Sequence, residues 1–483
     1  MVFYVSLVIN IQIMKNSDNK TSRRTFIATT GVVSAGIALG ANPVSASAYN
    51  RTAGANEKIR VGFIGVGNRG SQLLQIFMAQ PDCEIAALCD IYEPYTTRDR
   101  SQVEPRYIKD MPGQIPKMGE NFPNKVARYS DYRKVLEDKS IDAVCIATPD
   151  HWHAIMTIDA IKAGKDVYIE KPFSKTIAEG KAIVKAWKES KQVVTVGLNR
   201  RSAPTFLKLA QEIPQGRIGK ITYSNACHVS NMFPAGIGKM KPEDPPKNFN
   251  WDAWLGPRAY RPYQYNIAPY KFRWWEEYCN QISNNGVHYL DLIRWMLNEE
   301  APVSISAHGG KFAIDDDRTI PDTLNATFEF ASGKIVNMQV LEATSGSFVP
   351  YGFIEMRGTN GTLYTNENDY KIVPTQAGQF QDWKKLTEPE EFKLEEKENV
   401  PAEKSILNST ANHIRNFLEC IKSRKVPNAS PETGHRSTSM AHLATIAMIT
   451  RERLLWDKDK EVFTNSEAAN KLLSYEYRKP YKL

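Results

Sequence analysis

The sequence has few cysteines, and none of them is placed to bind a metal. Six occur in 483 residues, without a Cys-x-x-Cys pair and without histidine partners at metal-ligand spacing. Several fall inside apolar, strand-like runs, where cysteine is typically a small buried hydrophobic residue. We therefore expect neither a metal site nor a dense disulfide framework. The six are Cys83, Cys89, Cys145, Cys227, Cys279 and Cys420.

The chain also lacks a basic stripe. Its formal net charge is +8, but +3 of this charge lies in the first 48 residues, and acidic residues are interspersed among the remaining basic ones. Nucleic-acid binding requires clustered basic residues, commonly with interleaved aromatic residues. We expect no nucleic-acid partner.

A membrane-spanning length of apolar sequence is missing from the N-terminal region as well. The apolar run from Ile27 to Ala41 is short and rich in glycine and alanine. It follows Ser-Arg-Arg-Thr-Phe-Ile and precedes an Ala-Ser-Ala triplet ending at Ala48, which predicts a twin-arginine signal peptide over residues 1–48. A short amphipathic or membrane helix is the alternative. We predict a periplasmic protein with no stable membrane insertion after cleavage, and Met14 is a candidate for the true start.

The rest of the chain has an ordinary globular composition, with 42% hydrophobic and 24% charged residues. A length of 483 residues exceeds what one hydrophobic core usually supports. We predict a linker over residues 49–57, a dinucleotide-binding domain over 58–200 and a second domain over 201–483.

A glycine-rich loop follows the first apolar run of the globular part. Residues 59–64 predict a buried strand that leads into Gly-Val-Gly-Asn-Arg-Gly, and a helical pattern follows. In this context Gly65 permits the tight turn, Gly67 lets the backbone approach a pyrophosphate, and Gly70 lets helix and strand pack closely. The expected cofactor-binding residues of this loop are Gly65, Gly67, Asn68, Arg69 and Gly70.

An acidic residue ends the second predicted strand. Asp90 lies 20 residues beyond Gly70, the spacing at which a carboxylate accepts hydrogen bonds from the adenosine ribose. A carboxylate there repels a 2′-phosphate, and the following Ile-Tyr-Glu offers no basic residue, so the sequence favours NAD over NADP. An ordinary turn residue after a strand is the alternative for Asp90.

Two further apolar runs end in polar motifs. Residues 141–149 predict a strand that ends at Thr148 and Pro149, and residues 167–169 predict a strand followed by Glu170 and Lys171. Ligands of open parallel sheets bind at the carboxyl ends of the strands. We expect all four residues at the cofactor site.

Beyond residue 201 the pattern changes to longer alternating strands separated by helices. The predicted strands are Ile221–Val229, Val303–Phe312, Thr323–Phe330, Ile335–Leu341 and Phe353–Arg357. An aromatic-rich stretch from Trp251 to Trp275 fits either a core or a platform for sugar rings.

The motifs GVGNRG, ATPDHWH, IEKP and VGLNRR, in this order, resemble the glucose–fructose oxidoreductase/inositol dehydrogenase/MocA (Gfo/Idh/MocA) family. The similarity continues through FNWDAWLGP, NGVHYLD, ETGHRS and the closing ANKLLSYEYRKPYKL, which resemble an exported bacterial branch. The resemblance implies an α/β protein with an N-terminal Rossmann domain and a C-terminal α+β domain with an open, mostly antiparallel sheet. It also implies a homo-oligomer, either a dimer or a tetramer.

The same resemblance implies that Lys171 lies beside the nicotinamide and the substrate hydroxyl. A lysine partly desolvated beside a positive nicotinamide should have a lowered pKa and could exchange a proton as hydride leaves the carbon. By resemblance Glu170 contacts the nicotinamide ribose, and the Lys171–Pro172 peptide is a candidate for the cis form. His153 is expected to help form the cofactor pocket, with a helix cap or a packing residue as the alternative.

The family usually carries an aspartate four residues before its catalytic histidine. Here the histidine is His288 and the earlier residue is Asn284. An asparagine can hold an imidazole tautomer but cannot stabilise an imidazolium, so proton handling would shift to Lys171 or to Asp291. A helix N-cap for Asn284 and a satisfied core histidine for His288 are the alternatives.

These observations predict an NAD-dependent oxidoreductase that acts on a secondary alcohol of a sugar, glycoside or cyclitol and keeps its cofactor tightly bound. An NAD-dependent glycoside hydrolase that uses transient oxidation is a second class. The best-known hydrolase branch usually lacks the lysine found here as Lys171. A ligand-binding family member without turnover is a third class, motivated by Asn284.

Overall fold

A computed structural model describes residues 58–380, 383, 385–393 and 402–483. The predicted signal peptide, Met14 and the linker lie outside these residues. No helix within the described ranges is long and apolar enough to cross a membrane. The same ranges hold no group of three or more His, Cys, Asp or Glu side chains that could bind a metal ion. All six cysteines are free and buried.

The first half of the chain forms a six-stranded parallel sheet with the strand order β3-β2-β1-β4-β5-β6. Because β1 pairs with β2 on one side and with β4 on the other, the strand order reverses at β1. In such sheets this reversal opens the ligand crevice at the strands' carboxyl ends. The predicted Rossmann architecture is confirmed. The strands are β1 (Ile59–Ile64), β2 (Cys83–Cys89), β3 (Ala127–Tyr129), β4 (Ala143–Ile146), β5 (Asp166–Ile169) and β6 (Val194–Val196).

Helices connect these strands and cover the sheet. The first one buries Leu73, Leu74 and Phe77 along one face, as its apolar spacing predicts. The last one begins with a reciprocal capping box between Thr176 and Glu179. The helices are α1 (Asn68–Met78), α2 (Glu93–Thr97), α3 (Pro105–Asp110), α4 (Tyr132–Glu137), α5 (His153–Lys162) and α6 (Ile177–Lys188).

The second half forms a ten-stranded sheet with the order β14-β13-β12-β11-β7-β10-β9-β8-β15-β16. Only the β7–β10 pair is parallel in this order, so the mostly antiparallel sheet is confirmed. The strands are β7 (Ile221–Val229), β8 (Ser304–Gly310), β9 (Thr323–Glu329), β10 (Ile335–Leu341), β11 (Ile354–Gly358), β12 (Gly361–Thr365), β13 (Asp369–Pro374), β14 (Glu390–Lys393), β15 (Leu454–Asp457) and β16 (Val462–Phe463).

One face of this sheet packs against long helices. Alternate residues of β9, such as Leu324, Ala326 and Phe328, share a core with apolar residues of α9 and α11, given below. A short π-helical turn, Ile282–Gly286, leads directly into α9. The helices of this half are α7 (Pro204–Glu212), α8 (Trp251–Leu255), α9 (Val287–Leu297), α10 (Ala402–Ser423), α11 (Pro431–Thr450) and α12 (Glu467–Lys471).

Helix α10 returns to the first sheet. Its Phe417 contacts Phe77 of α1 and Tyr168 of β5, with ring centroids 6.5 and 5.9 Å apart. Residues beyond 201 therefore complete the core of the Rossmann half as well as forming their own. This long-range packing fixes the position of the second sheet relative to the strand ends of the first.

Candidate active site

A cavity of ≈ 620 Å³ lies where the carboxyl ends of β1, β2, β4 and β5 face the second half of the chain. One wall consists of the loops that follow these four strands, and we call it the cofactor wall. The opposite wall consists of the π-helical turn, the ends of β7 and β10 and part of the aromatic stretch, and we call it the substrate wall.

Three glycines shape the loop after β1. Gly65 has φ +85°, and a Cβ there would lie 2.8 Å from the carbonyl group of Ala147. A Cβ on Gly70 would clash with the carbonyl oxygen of Gly65, whereas a Cβ on Gly67 would meet only the ring of Tyr95, at 3.4 Å. Gly65 therefore permits the turn, Gly70 permits close packing, and Gly67 leaves open space on the cavity side.

The N-terminus of α1 faces this loop. Its N-cap is Gly67, which provides no side-chain cap, and the first turn contains no acidic residue. The first backbone N–H groups of the helix are thus available to an anionic group, which the helix dipole also favours. Asn68 and Arg69 line the cavity beside these groups.

Asp90 lies at the end of β2 in the geometry expected for a ribose acceptor. Its Oδ2 accepts a hydrogen bond from the backbone N–H of Val66 at 2.9 Å, and its Oδ1 accepts one from Tyr92 at 3.0 Å. Each oxygen keeps a lone pair for a further donor. Burial raises the pKa of Asp90 to about 6, against the effect of the two N–H groups.

The loop after β4 also provides a buried hydroxyl group without a hydrogen-bond partner among the described residues. Thr148 and Pro149 line the cavity, and the buried Thr148 Oγ1 has no hydrogen-bond partner among the described residues. Together with the open space at Gly67 and the free lone pairs of Asp90, this orphaned hydroxyl indicates that the cofactor wall fits a dinucleotide.

His153 joins two loops of this wall from behind. Its Nδ1 lies 2.7 Å from the carbonyl oxygen of Pro172, and its Nε2 lies 2.9 Å from that of Thr148. His153 is buried and is not among the described residues that line the cavity. It therefore shapes the pocket by holding the loops, and the Lys171–Pro172 peptide in one of them is cis.

Glu170 is buried in the cavity wall between the glycine-rich loop and Lys171. Its Oε1 accepts a hydrogen bond from Arg69 Nε at 2.8 Å, and its Oε2 accepts one from the Lys171 backbone N–H at 3.1 Å. This ion pair links the loop after β1 to the loop after β5, so the two loops are positioned together.

The Lys171 side chain crosses from the cofactor wall to the substrate wall. Its Nζ donates to the backbone oxygen of Asn284 at 2.6 Å and to the Asn284 Oδ1 at 2.8 Å. Desolvation lowers the pKa of Lys171 to about 8, partly opposed by the negative charge of Glu170. The lowered pKa expected for this lysine therefore arises from burial, before any nicotinamide charge is added.

Asn284 does not cap a helix. It lies inside the π-helical turn, and the N-cap position of α9 belongs to Gly286. Because both of its oxygens accept from Lys171, the interpretation of Asn284 as a site residue fits the structure, and the N-cap interpretation is wrong. Such π turns inside helices are frequent at functional sites.

His288 follows one turn later and is half-buried. It is not among the described residues that line the cavity, and its Nδ1 has no hydrogen-bond partner among them. Burial lowers the pKa of His288 well below its usual value, and the positive charges of Arg200 and Lys171 add to this effect. Both effects favour the neutral imidazole.

Asp291 is not brought to the cavity. Its carboxylate accepts two hydrogen bonds from Arg201, at 2.8 and 2.9 Å, and one from Ser437 Oγ at 2.6 Å. These buried contacts fasten the segment after β6 and helix α11 to α9. The expectation that Asp291 takes over proton handling is not supported, because an arginine already neutralises its charge.

The substrate wall contains a histidine that the sequence motifs did not single out. His228 lies near the end of β7, lines the cavity and has its Nε2 3.2 Å from Asn285 Nδ2. Burial lowers the pKa of His228 to about 4, with smaller contributions from the positive charges of Lys171 and Arg200. A polar residue at the carboxyl end of a predicted strand was the available signal.

A buried acidic residue completes this wall. Glu342 directly follows β10, accepts from Trp274 Nε1 at 3.0 Å and pairs with Arg318 NH1 at 2.8 Å. Arg318, itself fully buried, also pairs with Asp316 at 3.0 Å. Burial raises the pKa of Glu342 to about 7, against the charge of Arg318.

The aromatic stretch divides between core and cavity. Trp251, Tyr263 and Trp275 are buried in a core shared with the Rossmann half. Tyr270 and Trp274 are half-buried and line the cavity. The stretch therefore contributes to a core, and two of its aromatic side chains also reach the cavity, where a platform for sugar rings stays a prediction.

Family models match most of the chain. An oxidoreductase family, NAD-binding Rossmann fold, matches residues 59–198, and the C-terminal alpha/beta domain of that family matches residues 216–369 and 390–483. The chain belongs to the Gfo/Idh/MocA oxidoreductase family. Its cofactor is NAD, held on the Rossmann domain.

Curated relatives of this Gfo/Idh/MocA protein include glycoside hydrolases. An alpha-N-acetylgalactosaminidase of Shewanella oneidensis is 29% identical over 212 residues, which cover 42% of this chain and 44% of the relative. A glycosyl hydrolase family 109 protein of Akkermansia muciniphila is 27% identical over 176 residues, 36% of this chain and 34% of the relative. The chain thus matches less than half the length of these relatives.

Solved structures share the fold over a greater length. Levoglucosan dehydrogenase in complex with NADH has a TM-score of 0.59 at 16% identity and covers 82% of this chain and 98% of its own. An Agrobacterium radiobacter oxidoreductase in complex with NAD⁺, L-tartaric acid and magnesium has a TM-score of 0.58 at 15% identity, with coverage of 82% and 98%. At these identities the likeness concerns the fold alone.

Proposed function

We propose that this protein is an NAD-dependent oxidoreductase that acts on a secondary alcohol of a sugar, glycoside or cyclitol. The observation that carries the proposal is Lys171, a lysine with a lowered pKa that lies between the cofactor wall and the substrate wall. When bound, NAD supplies the hydride acceptor or donor. The protein must then move the hydroxyl proton.

The hydrogen bonds of Lys171 suit this proton transfer. In the neutral amine both N–H groups can donate to the two oxygens of Asn284, which leaves the nitrogen lone pair to accept a hydroxyl proton. In the protonated amine a third N–H is available to donate to a carbonyl oxygen in the reverse direction. Asn284 thus orients Lys171. The family resemblance implies that His288 assists, but His288 is not among the described residues that line the cavity, so we assign the proton transfer to Lys171.

The substrate wall offers the chemistry that sugar rings need. Trp274 and Tyr270 present aromatic surface, while Glu342, His228 and Asn285 present hydrogen-bonding groups. Apolar surface with a few placed polar groups is the usual composition of a small-molecule site. The curated hydrolases and the dehydrogenase of similar fold act on sugars according to their names, which supports this substrate class.

The proposal also covers the location of the protein and its oligomeric state. We infer export by the twin-arginine route to the periplasm, because of the Arg-Arg motif and apolar run before residue 48. Free NAD is scarce there, so the cofactor would have to stay bound and be recycled by a second substrate. A dimer or tetramer is the assembly that the family resemblance implies.

The first test is the cofactor content of the purified mature protein. Denatured protein should release close to one nicotinamide dinucleotide per chain into the supernatant. A screen of sugars and cyclitols against the refilled protein, followed by the fluorescence of bound NADH, should then reveal one substrate class. An empty supernatant, with no fluorescence change for any sugar, would contradict the proposal.

A second candidate is an NAD-dependent glycoside hydrolase, which the curated relatives favour. Such an enzyme would release free sugar from an aryl glycoside without net conversion of NAD to NADH. An oxidoreductase would instead accumulate bound NADH and leave the glycosidic bond intact. Measuring the aryl alcohol and NADH in one reaction separates the two functions.

A further inference from the structure

Residues 474–483 form an irregular strap along the surface beside the cavity. Two of its side chains fasten it to different halves of the protein. Tyr477 donates a hydrogen bond to Glu179 of α6 at 2.6 Å. Arg478 donates to Asp252 of α8 through NH1 at 2.6 Å. The strap therefore connects the Rossmann half to the second half.

A third anchor lies at Trp152, just before α5. The ring of Tyr481 meets that of Trp152 edge-on, with centroids 5.3 Å apart. Trp152 in turn donates from Nε1 to the carbonyl oxygen of Ala253 at 3.2 Å, and a Cβ on Gly256 would clash with its indole. Arg478 Nε also donates to the carbonyl oxygen of Gly256, at 3.0 Å, so the strap and Trp152 contact the same segment.

Tyr481 also lines the 620 Å³ cavity. The cavity extends to Asp90, the expected ribose acceptor, and we call the side at Asp90 the adenosine end. Trp152 contacts Tyr132, whose ring centroid lies 5.9 Å away. Tyr132 follows β3, the neighbour of β2, and the backbone N–H of Asp90 donates to the Tyr129 carbonyl at 3.2 Å. The strap thus lies on the side of the cavity where Asp90 would bind the ribose.

These contacts account for two sequence motifs that the chemistry leaves unused. The FNWDAWLGP segment contains Asp252 and Gly256, and the closing segment contains Tyr477, Arg478 and Tyr481. Six of the ten strap residues are exposed and the strap has no regular secondary structure. Its Tyr477 and Tyr481 pack against the edge of the Rossmann core without being part of its buried interior, so the strap can lift without that interior opening. Hydrogen bonds and this packing at the edge of the core keep it closed.

We propose that residues 474–483 are a latch that slows the release of NAD from the cavity. The proposal deepens the proposed function and rests on it, because an enzyme that recycles its cofactor without exchange needs slow release. With the latch closed, Tyr481 and Trp152 cover the adenosine end. Release then requires the Tyr481–Trp152 contact and the Arg478 hydrogen bonds to break first.

The test measures how fast NADH leaves the full chain. The protein is loaded with NADH and chased with excess NAD, and the loss of bound-NADH fluorescence gives the rate. We expect Tyr481→Ala and Arg478→Ala each to speed release by about fivefold, since an aromatic pair or a charged hydrogen bond contributes roughly 1 kcal/mol. The double variant should exceed either single one.

Two controls separate a latch from a merely structural contact. Lys482→Ala changes an exposed residue next to Tyr481 and should release NADH at the wild-type rate. Tyr481→Phe keeps the ring and should do the same. The melting temperature of the NAD-free double variant should stay close to that of the wild type, because Tyr481 packs against the edge of the Rossmann core and is not part of its buried interior.

The outcomes distinguish this proposal from the proposed function. Release from the double variant within twofold of the wild-type rate would overturn the latch, even if sugar is oxidised. Faster release from the variants of a protein that oxidises no sugar would sustain the latch and overturn the proposed function. Failure of the wild type to bind NADH at all would overturn both.

Discussion

The two walls of the cavity differ in the groups that form them. The cofactor wall consists mainly of backbone groups in short loops, such as the Gly65–Gly70 turn and the N–H groups that hold Asp90. The substrate wall consists of long side chains from elements far apart in sequence, as in the contact of Glu342 with Trp274. Backbone groups in short loops suit a cofactor whose shape does not change, whereas side chains can be substituted to suit a particular substrate. Lys171 belongs to the first wall but is oriented by Asn284 of the second.

The largest expected effect tests whether the chemistry indeed belongs to the cofactor wall. Lys171→Met keeps the chain length but removes the proton acceptor, so kcat should fall by about a thousandfold, within the range for general acid–base catalysis. The dissociation constant for NADH should change little, because the loop after β1 is intact. Both are measured with the identified sugar and by NADH fluorescence.

Lys185→Met is the matched control for this substitution, since Lys185 is exposed on α6. It should retain wild-type kcat. If Lys171→Met loses less than tenfold in kcat, then a group of the substrate wall, such as His228 or Glu342, moves the proton. The assignment of proton transfer to the cofactor wall would then be wrong.

The next effect separates packing from binding within the glycine-rich loop. Gly70→Ala places a Cβ against the Gly65 carbonyl and should lower the free energy of unfolding by about 1–3 kcal/mol. Gly67→Ala meets only Tyr95, at 3.4 Å, so the NAD-free protein should keep its stability while its affinity for NADH falls. Denaturant unfolding and NADH titration of both variants provide the comparison. Equal losses of stability would contradict distinct roles for the two glycines.

A smaller effect concerns the coupling between the walls. Oxidation of an alcohol needs neutral Lys171, so kcat/KM should rise with pH up to the lysine pKa of about 8 and then level off. Asn284→Asp places a carboxylate where an amide oxygen lies 2.8 Å from Nζ. A negative neighbour favours the charged amine and raises its pKa, so the rising limb should move by about one unit or more to higher pH. Asn284→Ala supplies no charge, so its rising limb should not move to higher pH. If the limb of Asn284→Asp does not move either, then the ionisation of Lys171 does not control the rate.

The sequence predicted the cofactor wall well for a physical reason. A phosphate loop needs particular glycines at fixed spacing beside one strand and one helix, so Gly65, Gly67 and Gly70 carry their structural roles locally. Asp90 directly follows β2, and Lys171 is the second residue after β5. The order of the parallel strands then brings these separate loops to one edge, as the order of the motifs suggested.

The substrate wall could not be predicted in the same way. Glu342 lies 68 residues beyond Trp274, and no local pattern predicts that its carboxylate accepts a hydrogen bond from that indole. Asp291 looked available in the sequence, but Arg201 neutralises it across 90 residues. Pairings of this kind are decided by tertiary packing, so the motif around His288 indicated a site without indicating which side chains face the cavity.

The smallest expected effect compares two histidines: His228, which lines the substrate wall, and His288, which lies on the helix behind it. His228 lines the cavity and accepts from Asn285, so His228→Asn should lower kcat/KM by about tenfold, as expected when a hydrogen bond of roughly 1.5 kcal/mol is lost. His288 is not among the cavity-lining residues that the structure describes, so we expect His288→Asn to lower kcat by less than threefold. Steady-state kinetics of both variants, with melting temperatures to confirm folding, would rank them. A hundredfold loss of kcat in His288→Asn would instead mean that this histidine reaches the reacting hydroxyl once substrate is bound, and that the substrate wall takes part in proton transfer.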